Sequence, residues 1–287
     1  MRSEHEVRPL SRDEVDTAVA WAAAEGWNPG RHDADAFWAQ DPHGFWGADD
    51  VDGHLAGCVS AISYDGAYGF WGLFIVRPDQ RGRGIGSALA RTTIRGLRDR
   101  LDEGAAIGLD GVYAQQDYYA SLGFAYSHRN LRMAGTARAG LAIEHELVAQ
   151  ADLDPSVLQA FDTEHLGAAR PRFLERWSRP VDGSALAAVE DGAVVGTGVV
   201  RRCLEGFKVG PLFARDADVA ASLLARLSAY AEGGALFLDV PEVNEAAMAL
   251  ADEHGMTEVF GCARMYLGDP PATPWSRVFG VTTFELG

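Results

Sequence analysis

Basic side chains are scarce in this chain. Lysine and arginine total 25 against 41 acids, which leaves a net charge of −16 over 287 residues. A surface of that sign repels nucleic-acid backbones and anionic membranes, so neither is expected as a partner, and it attracts cations. Cysteine is nearly absent. Cys58, Cys203 and Cys262 are odd in number, far apart and set in apolar stretches, which speaks against a disulfide framework or a CxxC metal site. The eight histidines show no HExxH or paired ligand spacing, so no metal is expected. No run of 18 apolar residues occurs. The opening MRSEHEVRPL carries charge where a leader peptide would be apolar, and a soluble, cytoplasmic protein is expected.

Several catalytic signatures are missing too. GIGSA, at residues 84–88, is not the G-x-S-x-G of a serine hydrolase, and no Cys–His pair stands out. No Gly-Lys-Ser/Thr supplies a P-loop lysine. The spacing Gly82-x-Gly84-x-Gly86 is not GxGxxG, and Asp102 follows a helical run instead of ending a strand, which argues against a dinucleotide fingerprint.

What is present is a chain with 47% hydrophobic and 23% charged residues, ordinary for a protein with a real core and long enough for two domains. Ser11 and Glu14 have capping-box spacing ahead of Val15, Ala18, Val19 and Ala22, which predicts a helix ending at Gly26. A short helix is expected over residues 33–39. Residues 54–64 and 68–76 read as strands joined by an Asp65-Gly66 hairpin turn. A glycine loop follows, then a helix over residues 87–101, a buried strand over 105–110, a helix over 115–122 and a last strand from Phe124. Hairpins followed by alternating strands and helices predict an α/β fold built on a mixed sheet.

The loop, DQRGRGIG at residues 79–86, joins a strand to a helix. Glycines let consecutive N–H groups turn towards one centre, and the helix start adds partial positive charge. Arg81 and Arg83 can add charge-assisted contacts. The pattern suits a phosphate, although a plain glycine-rich turn would read the same.

A second motif narrows the choice. VRPDQRGRGIGSALA followed by YYASLGF resembles the GNAT superfamily of acyl-CoA-dependent N-acetyltransferases over residues 50–130. The resemblance implies that residues Arg81, Gly82, Arg83, Gly84, Ile85, Gly86 and Ser87 cradle the pyrophosphate of acetyl-CoA. It implies that the backbone of Phe74, Ile75 and Val76 pairs with the pantetheine arm and thioester, with a bulge near Gly72. Tyr119 matches the family's general acid. The family's asparagine seven residues before that tyrosine is replaced by Val112, and Gln115 or Gln116 could substitute. The family's glutamate base has no counterpart in YGFWGLFIV, which leaves Asp110, His128 or a water chain.

The second half repeats the first. DGHLAG, SALAR and YASLGF have counterparts in DGAVVG, SLLAR and ADEHGM in the same order. The distance from Gly57 to Ser87 is 30 positions, against 26 from Gly196 to Ser222, and the shortfall falls at the glycine loop. There ARDADVAA brings two carboxylates and no glycine, and Ala251 stands where the first copy has Tyr119. The expected layout is tandem GNAT-like domains: a catalytic unit at residues 1–138 and a degenerate copy at 139–287 that braces it or closes one side of its pocket. The tail FGVTTFELG is expected to pair as a strand.

Residues 21–46 hold six large aromatics. In the family fold this region roofs the acceptor site, so Trp27, Phe37 and Trp38 are expected as walls. Asp33, with Asp35 and Asp41, is expected at the rim, attracting a cationic amine. The implied activity is direct acetyl transfer from acetyl-CoA to a primary amine on a small molecule or peptide. A non-catalytic acyl-CoA sensor and an acyltransferase using a longer chain are the alternatives.

Overall fold

The computed structural model describes residues 6–287 and centres on a mixed sheet of 13 strands. The first half runs β1 (Val7–Pro9), α1 (Arg12–Ala24), α2 (Asp33–Gln40), β2 (Phe45–Asp49), β3 (Leu55–Tyr64), β4 (Tyr68–Val76), α3 (Ile85–Arg98), β5 (Ile107–Val112), α4 (Gln116–Ser121) and β6 (Ala125–Thr136). The second runs β7 (Glu146–Ala149), α5 (Pro155–Leu166), α6 (Pro171–Trp177), β8 (Gly183–Glu190), β9 (Ala193–Arg202), β10 (Phe207–Ala214), α7 (Ala217–Tyr230), β11 (Ala235–Pro241), α8 (Glu245–Glu253), β12 (Thr257–Leu267) and β13 (Val278–Gly280).

Local chemistry explains the ends of these elements. Ser11 Oγ accepts from the Glu14 N–H (3.3 Å) and the Glu14 carboxylate accepts from the Ser11 N–H (2.9 Å), so the capping box forms and starts α1. Asp65 opens the β3–β4 turn and Asp191 the β8–β9 turn, each with positive φ (47° and 50°) ahead of a glycine. α3 begins at Ile85 and ends at Arg98, earlier at both ends than residues 87–101. Gly84 causes the early start: its φ of +90° turns the chain straight into the helix. β5 lies two residues later than the expected 105–110.

The sheet order is β1-β2-β3-β4-β5-β12-β6-β11-β10-β9-β8-β7, with β13 on β10. β12, from the end of the chain, pairs with β5, while β6 pairs with β11 and β12. Each half is thus completed by the other's last strand. The apolar core follows suit. On one face Phe37 of α2 stacks on Trp177 of α6 at 6.3 Å, so residues from both halves share a cluster. A separate cluster lies under α3, where Leu89, Ile94 and Leu97 meet Trp71, Ile107 and Leu109. No helix among the described residues is long and apolar enough to cross a membrane.

Two splays interrupt this sheet. β4 and β5 pair only at Gly69–Ile107 and Phe70–Gly108 before they diverge. The divergence begins where the β3–β4 register shifts opposite Leu73, whose φ of +47° marks a bulge. β10 and β11 likewise pair from Phe207 to Val209, and the β9–β10 register shifts between Val209 and Leu212. The second splay is filled by the chain itself. β13 pairs with β10 at Leu212 and Phe213, and the Val281 N–H donates to the Asp239 carbonyl of β11 at 2.9 Å.

Candidate functional site

The first splay opens into a cleft of about 590 Å³. Its walls include Phe74, Ile75 and Val76 on β4, the loop residues Arg81, Gly82, Gly84, Ile85, Gly86 and Ser87, and Tyr118 and Tyr119 on α4. Glu25, Trp27, Gln80, Val112 and Gln115 complete it. Most of the residues singled out in the first half therefore converge on one cavity, although they come from four separate elements.

Backbone groups set its character. Ile85, Gly86 and Ser87 form the first turn of α3, so their N–H groups have no acceptor within the helix, and the Gly84 N-cap offers no side chain to cover them. The helix end therefore presents donors and partial positive charge to the cleft, which suits an anion. The equivalent helix start is closed in the second half. Only Arg215 and Asp216 separate β10 from α7, and the Asp216 carboxylate accepts from the Val219 N–H at 3.0 Å. Asn244 holds β13 through its amide, 2.9 Å from the Val278 carbonyl, and also caps α8.

The side chains divide into two groups. Ile75 and Ile85 are buried in the core, so only their backbones are available to a ligand. Arg81 spans the cleft mouth: its Nε donates to the Val76 carbonyl (2.9 Å) and its guanidinium meets the Glu25 carboxylate (2.6 Å). Arg83 is exposed on the loop.

Tyr119 is 6% exposed, edge-on to Trp71 at a ring separation of 6.2 Å. Burial pushes its phenol pKa well up, so the group keeps its proton at neutral pH and remains a hydrogen-bond donor. Tyr118 stacks on Phe74 at 6.1 Å and forms the neighbouring wall.

Deeper in the splay is a smaller pocket of about 20 Å³, room for roughly one water molecule. β4 supplies Trp71, Gly72, Leu73 and Phe74, and β5 supplies Leu109, Asp110, Gly111 and Val112. Tyr119 and Trp27 are shared with the outer cleft. The remaining wall, Phe260, Cys262 and Phe284, comes from the far end of the chain. Sequence reading missed these three because their approach depends on strand exchange and on the path of the tail. The expectation that the tail pairs as a strand was the available signal, and β13 is where it pairs.

The acidic-rim expectation needs correction. Asp33 is 2% exposed and bound by Arg201 at 2.8 and 3.1 Å, with the Gly30 N–H donating to it at 2.8 Å. It lies away from both cavities because it neutralises a buried arginine of the second half. Asp41 is also buried, paired with Arg100, and Asp35 pairs with Arg12 at 2.6 Å. Phe37 is a core residue against Trp177, and Trp38 packs on Phe45 at 6.0 Å. Of the proposed acceptor walls, Trp27 alone lines the cavities.

The two side-chain candidates for the base are no better placed. Asp110 faces the inner pocket but is held by Arg264 (2.8 and 2.6 Å) and Asn130 (2.8 Å). His128 packs edge-on against Trp275 at 4.3 Å, and burial lowers its pKa to about 4.

Comparison with known proteins agrees with this geometry. Residues 12–124 match a family model described as "Acetyltransferase (GNAT) family", and residues 158–280 match an "Acetyltransferase (GNAT) domain". A holothin acyltransferase of Pseudoalteromonas sp. (strain SANK 73390) is 27% identical, covering 98% of this chain and 94% of its own length. An uncharacterized N-acetyltransferase of Bacillus subtilis (strain 168) is 26% identical, covering 69% of this chain and 68% of its own. A putative acetyltransferase from Pyrococcus horikoshii shares the fold with a TM-score of 0.84 at 23% identity, covering 100% of this chain and 97% of that one. A tandem GNAT protein from the clavulanic acid biosynthesis pathway gives 0.62 at 16% identity, covering 94% and 100%.

Proposed function

This chain belongs to the GNAT acyltransferase family as a two-domain member, and we propose that it transfers an acetyl group from acetyl-CoA directly to a primary amine. In this reading the catalytic unit is residues 1–138, completed by β12, and residues 139–287 form a copy that takes no cofactor. The observation that carries it is the contrast between the splays. The first opens onto an uncapped helix start, whereas the second is filled by β13 and its helix is capped by Asp216.

The chain's groups then divide the work. The N–H groups at the start of α3 hold the pyrophosphate. The edge of β4 beyond Phe70, unpaired towards β5, receives the pantetheine arm. A backbone N–H of Phe74 or Ile75 stabilises negative charge on the thioester oxygen as the amine attacks. Tyr119 protonates the departing sulfur.

The amine has to arrive with a free lone pair. The apolar inner pocket, walled by Trp27, Phe260 and Phe284, excludes bulk water from that step. The holothin relative carries the broader name of acyltransferase, so the length of the acyl chain is decided by competition between acyl-CoA donors.

The test is calorimetry with acetyl-CoA, followed by thiol release over a panel of amines and mass spectrometry of the product. Binding with thiol release and an acetylated amine supports the reading. Binding without turnover on any amine would leave an acyl-CoA sensor, and preference for longer acyl-CoA would replace acetyl.

A further inference from the structure

Glu285 differs from the other buried acids among the described residues. Asp33 is bound by Arg201, Asp41 by Arg100, Asp162 by Arg170 and Asp239 by Arg132. Glu285 is 1% exposed, yet neither carboxylate oxygen has a hydrogen-bond partner. An ionised carboxylate in that state is costly unless the fold uses it.

Its position suggests the use. The Glu285 backbone lies against Gly72 at the apex of the splay, so closely that a Cβ at Gly72 would collide with the Glu285 carbonyl. Only glycine permits this contact. Ser60 Oγ also donates to that carbonyl, at 3.4 Å. The preceding residue, Phe284, forms part of the inner pocket wall beside Gly72. The tail is fixed there: the Tyr64 hydroxyl donates to the Leu286 carbonyl, the Leu286 N–H donates to Thr283 Oγ1 (2.9 Å), and Arg170 donates to the Gly287 carbonyl (3.4 Å).

Resting on the reading as an amine acetyltransferase, the geometry points to Glu285 as the base that takes the proton of the acceptor's ammonium. The carboxylate is not itself a wall of the inner pocket; Phe284, next to it in the chain, and Cys262, which lies within its field, are. Desolvation raises the carboxyl pKa, which strengthens it as a base. Lys208 on β10 and Arg132 on β6 oppose that rise, while Asp33 on α2 and Asp239 on β11 add to it. Arg201 on β9 and Cys262 on β12 also lie within its field.

The protons balance over one turnover. The ammonium gives one proton to Glu285 and becomes a neutral amine. Its lone pair forms the C–N bond as the C–S bond breaks, and the sulfur takes the Tyr119 proton. The nitrogen's second proton restores the Tyr119 phenol, and Glu285 releases its own to solvent. The net products are amide, thiol and one proton.

Glu285→Gln keeps the shape and removes the base. The test pair is phenethylamine, protonated at neutral pH, and aniline, which is not; they head a panel of alkyl- and arylamines. The variant should lose about 10²-fold in kcat/KM for the alkylamines and about threefold or less for the arylamines, with acetyl-CoA affinity unchanged by calorimetry. Equal losses for both amine classes, or no loss for alkylamines, would overturn the assignment. Should the variant fail to fold, the wild-type pH profiles decide. For alkylamines the acidic limb should level off well below the amine's own pKa of about 10, and a limb that climbs all the way to that pKa would overturn the assignment. Wild-type protein that acetylates no amine in the panel fails the acetyltransfer reading itself, and this assignment with it.

Discussion

The Arg81 guanidinium and the Glu25 carboxylate meet 2.6 Å apart, joining the glycine loop to the end of α1 across the mouth of the cleft. Both groups are partly exposed, so the pair is a weak tie that a polyanionic ligand can displace. Glu25→Gln should therefore free Arg81 and tighten acetyl-CoA by about two- to fivefold, with Arg81→Ala weakening it. Calorimetry reads both, and weaker binding in Glu25→Gln would show that the pair shapes the site.

Gly84→Asp would install in α3 the cap that Asp216 already gives α7. It would add a negative charge at the helix start and force a side chain onto a φ of +90°. Affinity for acetyl-CoA should fall by about tenfold or more. Unchanged affinity in a folded variant would move the pyrophosphate elsewhere.

Stoichiometry should be one acetyl-CoA per chain. β13 lies in the second splay and the Asp216 side chain takes the Val219 N–H. A titration that saturates at two equivalents would contradict this.

Tyr119→Phe keeps the ring against Trp71 and removes the proton donor. Turnover should fall by about 10²-fold or more with acetyl-CoA affinity unchanged. Full activity would make Tyr119 a packing residue.

Asp33→Asn should act on stability and not on substrate capture. Removing one partner of a buried ion pair costs about 3–5 kcal/mol, because the Arg201 guanidinium is left uncompensated. The melting temperature should drop, while the salt dependence of kcat/KM in the surviving folded protein should match wild type. A changed salt dependence with normal stability would restore Asp33 to the rim.

Much of the local structure was legible in the sequence. The capping box of Ser11 and Glu14, the Asp65-Gly66 turn and the glycine loop all depend on neighbours a few residues away, and each forms where expected. The duplication was legible for the same reason. Asp33 and Phe37 were misread because their partners, Arg201 and Trp177, are distant in the chain. Acidic residues beside aromatics look alike whether they face solvent or a buried arginine. Gly72 was picked out as a bulge residue, but what it admits is the tail carrying Glu285. No periodicity marks such a contact.

Lys208 is the only lysine in the chain, and it is buried, with its ammonium donating to the Trp27 carbonyl at 3.3 Å. Burial pulls its pKa down. Thioesters such as acetyl-CoA slowly acylate exposed lysine amines without a catalyst. This protein therefore offers such a thioester no lysine on the surface: every other cationic side chain it carries is an arginine or a histidine. Prolonged incubation with acyl-CoA should leave its folded form free of lysine acylation.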